Sequence, residues 1–74
     1  MPQYELEHVG PASYEGRTRG RTPEEAVRRA TDLPDETAVT VSDDADLHGW
    51  QEVRIDGESS GRVRLHQRMQ FRRD

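Results

Sequence analysis

The stretch "TPEEAVRRATDLP", Thr22–Pro34, decides how this chain is read. Thr22 suits a helix N-cap, Pro23 the first helical position, and Glu25 at N3 completes a capping box. Glu24 and Glu25 lie at the positive end of the helix dipole, with Arg28 and Arg29 toward the negative end. Ala26, Val27, Ala30 and Leu33 fall at i, i+1, i+4 and i+7, which is one apolar stripe. Pro34 stops the pattern. The spacing predicts a single helix of about two to three turns. A helix this short is unstable alone, so its apolar stripe must be buried against other elements.

Those elements read as strands. "QYELEHV" (Gln3–Val9) alternates Tyr4, Leu6 and His8 against Glu5, Glu7 and Val9. Gly10 and Pro11 mark a turn. "SYEGRTRGR" (13–21) reads as a strand or a loosely extended segment. Beyond the helix, "ETAVTVSDD" (36–44) turns Val39 and Val41 inward, and "DDADLHG" (43–49) is an acidic turn. "WQEVRID" (50–56) sets Val53 and Ile55 against Glu52, Arg54 and Asp56. "GESSG" (57–61) reads as a five-residue hairpin loop, followed by one long strand, "RVRLHQRMQFRR" (62–73).

The sum is an α+β fold: a single two-layer domain over residues 1–74, in the order β-(β)-α-β-β-β. One short helix packs on one face of a mainly antiparallel sheet of four or five strands. The expected core is Tyr4, Leu6, Val27, Ala30, Leu33, Val39, Val41, Val53, Ile55, Val63, Leu65, Met69 and Phe71.

Composition limits how stable such a domain can be. The chain has 74 residues, 30% of them hydrophobic, and a mean hydropathy of −1.14. A chain of this length buries only about 60% of its unfolded surface. There is no Cys, which excludes disulfides and Cys-ligated zinc or iron–sulfur sites. Self-association is the remaining staple for a small core, so a homo-oligomer, in the simplest case a dimer, is expected. No apolar run approaches the ~18 residues of a membrane helix, and "MPQYELEH" lacks a signal-peptide core. The expectation is a cytoplasmic protein without a membrane partner. All eleven basic residues are Arg, and the net charge of −4 is laid out in alternating acidic and basic blocks. Such blocks can pair within one fold or between copies.

The last strand raises the main functional question. Its outer row holds Arg62, Arg64, His66, Arg68 and Arg72, a ridge that could follow phosphates. Glu5, Glu7, Glu52 and Asp56 are expected on the same face, where opposite charges pair across strands, and no aromatic residue is expected there to stack bases. Arg17, Arg19 and Arg21, spaced by two just before the helix, could bind an anion. Trp50 is a further binding candidate, as a stacking or interface residue. "DDADLHG" matches only part of a calcium loop, with Ile55 where a bidentate Glu is required, so no metal site is assigned. The three histidines have no nucleophile placed beside them by sequence, so no catalytic residue and no cofactor is assigned.

Two short resemblances are visible. "GRTPEEAVRRA" (20–30) resembles the strand-to-helix junction of HicB-type antitoxins, without that family's preceding Pro-Gly-Cys. "WQEV" with "HQRMQF" resembles the dodecins, where a Trp and a Gln hold flavin; this implies Trp50 and Gln67, but "TAVTVS" intervenes between helix and Trp. Neither resemblance assigns a family. The expected function is therefore a non-enzymatic protein-interaction module that self-associates or takes an acidic protein partner. The alternatives are a nucleic-acid or anion-binding domain using the Arg-rich strand, and then a small flavin- or ligand-binding oligomer.

Overall fold

A computed structural model of the protein describes residues 1–66. Its elements are β1 (Gln3–Val9), β2 (Tyr14–Arg19), α1 (Pro23–Thr31), β3 (Val39–Ala45), β4 (Gln51–Ile55) and β5 (Glu58–Leu65). All pairings are antiparallel, and the five strands lie in the order β2-β1-β5-β4-β3. β5 therefore joins the β1–β2 hairpin to the β3–β4–β5 meander. The fold is α+β in two layers, as the alternation of periodicities predicts. No helix among the described residues is long and apolar enough to cross a membrane.

The helix forms as its caps dictate. Thr22 Oγ1 accepts a hydrogen bond from Glu25 N at 3.1 Å. Glu25 does not reach back to the cap; it pairs with Arg29 one turn on, at 3.2 Å. The helix ends at Asp32, which turns into the left-handed region with φ 53° while its N–H bonds Arg28 O. Leu33 thus lies past the helix and is only half-buried, not part of the core. Arg28 ties this exit down by donating to the carbonyls of Pro34 and Thr37.

The buried core is Tyr4, Leu6, Val9, Ala26, Val27, Val53 and Val63, flanked by Tyr14, Ala30, Val39, Val41 and Ile55. Val9 is a correction to the simple alternation. A bulge between Leu6 and Val9 adds a residue to β1, with His8 at φ 55°. The extra residue reverses the parity, so His8 turns out and Val9 becomes fully buried. Leu65 is a second correction: it continues the inward row of Val63 but is 46% exposed, at the end of the strand. Met69 and Phe71 lie outside the described residues.

The β4–β5 connection also differs from the five-residue reading. Ile55 pairs with Glu58 across a two-residue turn, Asp56–Gly57, with φ 52° and 84°. Positive φ at both central positions is the type I′ pattern that Asp-Gly favours, because its twist matches the flanking strands. The final strand consequently starts at Glu58, four residues before Arg62.

Candidate functional site: a charged sheet face

α1 packs against β1, β2, β3 and β5 on one side of the sheet. It is the only helix among the described residues, and no second helix among them covers the opposite face. Alternation along the strands places Gln3, Glu5 and Glu7 of β1 on that open face, opposite the core residues Tyr4 and Leu6. Cross-strand register then aligns Arg19 with Gln3, Arg17 with Glu5, Glu5 with Arg64, and Glu7 with Arg62.

The arginines of β5 are occupied. Arg62 Nε and Nη2 donate to Glu7 Oε1 at 2.9 and 2.6 Å. Arg64 donates to Glu5 Oε1 at 3.2 Å and to the His48 carbonyl at 3.1 Å. His66 Nδ1 lies 2.8 Å from Glu5 Oε2. Of the four acids expected to neutralise this row, Glu5 and Glu7 do so. Glu52 stands opposite Arg62 in register but bonds Arg54 on its own strand at 3.0 Å. The Asp56 carboxylate accepts the Ala38 N–H instead. Arg68 and Arg72 lie outside the described residues.

An aromatic residue does lie on this face, contrary to expectation. Trp50 precedes β4 on the side opposite Val53, and is buried to 9% exposure apart from the core cluster. The guanidinium carbons of Arg62 and Arg64 each stand 4.3 Å from its ring centroid. Each such contact contributes about 0.5–2 kcal/mol. The turn ahead of it is built by Asp46, whose carboxylate accepts from His48 N at 2.8 Å and Trp50 N at 2.9 Å. These bonds hold the Asp46 carboxyl below the usual carboxylate range. Asp46 is thus engaged in turn formation, and no group of three potential metal ligands is found among the described residues. The sequence clue to the Trp–Arg cluster was Trp50 itself; which face it occupied depended on where β4 began.

The Glu5 carboxyl is likewise held below 4.5, first by the His66 hydrogen bond and then by Arg64, against opposing desolvation. The sign of the linkage follows: a carboxylate with a lowered folded-state pKa adds stability above its unfolded pKa and loses it as pH falls through the folded value. Glu52 is lowered too, mainly by its bond to Arg54. The fold should therefore weaken below about pH 4.5. Glu5→Gln should be less stable at neutral pH and flatter through the acid range, in urea melts taken across pH. An unchanged acid slope would mean that other carboxylates carry it.

The remaining binding candidates separate. Arg17 and Arg19 line a cleft of about 480 Å³ with Met1, Gln3 and His66. Arg21 is not among its lining residues; it follows Gly20 at the helix entry. Gln67, the second residue of the flavin reading, lies outside the described residues, and the Trp50 ring is already faced by two guanidiniums. Compared with known families, characterised proteins and solved structures, the chain matches none.

Proposed function

We propose that this chain is a small, non-enzymatic interaction module, cytoplasmic in setting, that self-associates along the edges of its sheet. The observation that carries the reading is the opposite charge of the two edges. β2, at one edge, carries Arg17 and Arg19; β3, at the other, carries Asp43 and Asp44. An edge strand has unpaired backbone donors and acceptors along one side, and charge decides what can approach. Two β3 edges repel, whereas β2 of one copy attracts β3 of the next. A contact of this head-to-tail kind gives a dimer first and longer assemblies when both edges are used. An acidic protein partner would use the β2 edge alone. The non-enzymatic part rests on the histidines: His8 and His66 face carboxylates, Glu15 at 3.1 Å and Glu5 at 2.8 Å, rather than a hydroxyl.

Sedimentation velocity tests the proposal. In low salt, the average mass should rise across about 10–500 µM, the range of weak association. It should fall back in high salt, where the screening length shrinks to a few ångströms, about 3 Å at 1 M. Asp43→Arg combined with Asp44→Arg should leave a folded monomer. A monomer throughout, or association indifferent to both salt and the charge reversal, would overturn the reading.

A further inference from the structure

Across β2, β1 and β5, the open face is built in rows. In one row Glu5 stands between Arg17 and Arg64, and its two oxygens bond Arg64 and His66. In the next, Glu7 accepts from Arg62. At the end of the sheet the row is Arg19, Gln3 and His66: Arg19 pairs in register with Gln3, and His66 N bonds the Gln3 carbonyl at 2.8 Å. Here the central residue is a neutral amide where the other two rows have a carboxylate. Among the described residues no carboxylate oxygen comes within 4.0 Å of Arg17 or Arg19. The Glu5 carboxylate is taken up by Arg64 and His66, so Arg17 and Arg19 have no carboxylate partner among the described residues, in a chain whose net charge is negative.

The space above Gln3 is a cleft of about 480 Å³, within the usual range of small-ligand sites, about 300–1,000 Å³. Arg17 and Arg19 are two residues apart on β2, about 7 Å. His66, the residue after β5, lies two strand spacings away, about 9–10 Å. A phosphate group fits between such walls, and guanidinium forks match its oxygens.

We propose that Arg17, Arg19, Gln3 and His66 form a binding site for a phosphate group, carried either as free phosphate or as a small phosphate monoester. The anion takes the central place that Glu5 and Glu7 fill in the neighbouring rows. Arg17 and Arg19 supply the charge. Gln3 donates from its amide without repelling the anion. His66, held through Nδ1 by Glu5, forms the far wall. The site shares Arg17 and Arg19 with the β2 edge proposed for self-association, whereas Gln3 and His66 belong to the cleft and Asp43 and Asp44 to the edge contact, so Asp43→Arg with Asp44→Arg removes association without touching the site.

The test is a titration of the full chain, in low salt, with inorganic phosphate and separately with phenyl phosphate, followed by amide NMR shifts. The expected result is saturable binding with shifts at Gln3, Arg17, Arg19 and His66. Arg19→Gln should weaken it about tenfold, the loss of one charge-assisted contact. Gln3→Glu should abolish binding, because the chain then supplies its own carboxylate between Arg19 and His66. A melting temperature at or above the parent's shows that Gln3→Glu removes the site and not the fold. Tighter binding of phenyl phosphate identifies a monoester as the ligand class; equal binding identifies free phosphate. Binding that survives Gln3→Glu, or shifts confined to other residues, would overturn the proposal. So would an oligonucleotide that binds while both small phosphates do not.

Discussion

Gly61→Ala is expected to cost about 3–5 kcal/mol and to leave the chain marginally stable. Gly61 has φ +81°, and a Cβ there would overlap the backbone carbonyls of Glu7 and His8. These belong to the β1 bulge that turns Val9 into the core. The register of β4 on β5 also shifts beside Gly61, between Glu52 and Arg54. Two irregularities in neighbouring strands therefore meet at this glycine, and the obstructing atoms are backbone, which cannot rotate away. A chain of this size has only about 4–11 kcal/mol of stability to lose. Gly57→Ala is the matched control: φ is +84°, and nothing lies within 4 Å of its would-be Cβ. It should cost only about 1–2 kcal/mol, the conformational part alone. Urea midpoints for the pair separate strain from collision; equal losses would mean that the close approach of β1 and β5 is not what requires Gly61.

Trp50→Ala is expected to cost about 3 kcal/mol, comparable to deleting a core aromatic, although Trp50 lies outside the main core. Its ring is 9% exposed and faces the guanidiniums of Arg62 and Arg64. Removing it takes the apolar support from both arginines and leaves the Asp46–Gly49 turn without its anchor. Trp50→Phe keeps a ring for the cations and should recover about half of the loss. Arg62→Ala and Arg64→Ala should each shift Trp50 fluorescence to longer wavelength, as water replaces a guanidinium. Thermal melts followed by circular dichroism, read with the emission maxima, check both effects. A Trp50→Ala variant as stable as the parent would show the cluster to be an ornament of the surface.

The same residues show how far the sequence could be read. The outer row of β5 looked like a phosphate-tracking ridge, and the acids opposite it suggested compensation. That held for Glu5 and Glu7, because strict alternation along β1 before the bulge puts them beside Arg64 and Arg62. It did not hold for Glu52, which bonds Arg54 on its own strand, or for Asp56, whose carboxylate accepts the Ala38 N–H across the β3–β4 pair. The Asp56–Gly57 turn was a legible signal that the longer loop reading passed over. Val9 was not legible, since nothing in "QYELEHV" marks which residue will be bulged. The cleft of Arg17, Arg19 and His66 could not be seen either. It joins residues almost fifty positions apart, and requires knowing that β1 lies between β2 and β5.

Sequence alone determined the helix, its N-terminal cap, the alternation of the strands where no bulge interrupts it, and the two-layer class. These follow from interactions within a few residues: a hydroxyl to a nearby N–H, and periodicities of 3.6 and 2. Tertiary structure alone decided the strand order, the burial of Val9, the side on which Trp50 lies and the partners of each arginine. Those depend on which distant segments meet and in what register, and a single bulged residue reverses the facing of all that follow it. Arg62 and Arg64 are therefore committed to Glu7, Glu5 and Trp50, while Arg17 and Arg19 face the cleft at Gln3, a distinction invisible in a row of identical side chains.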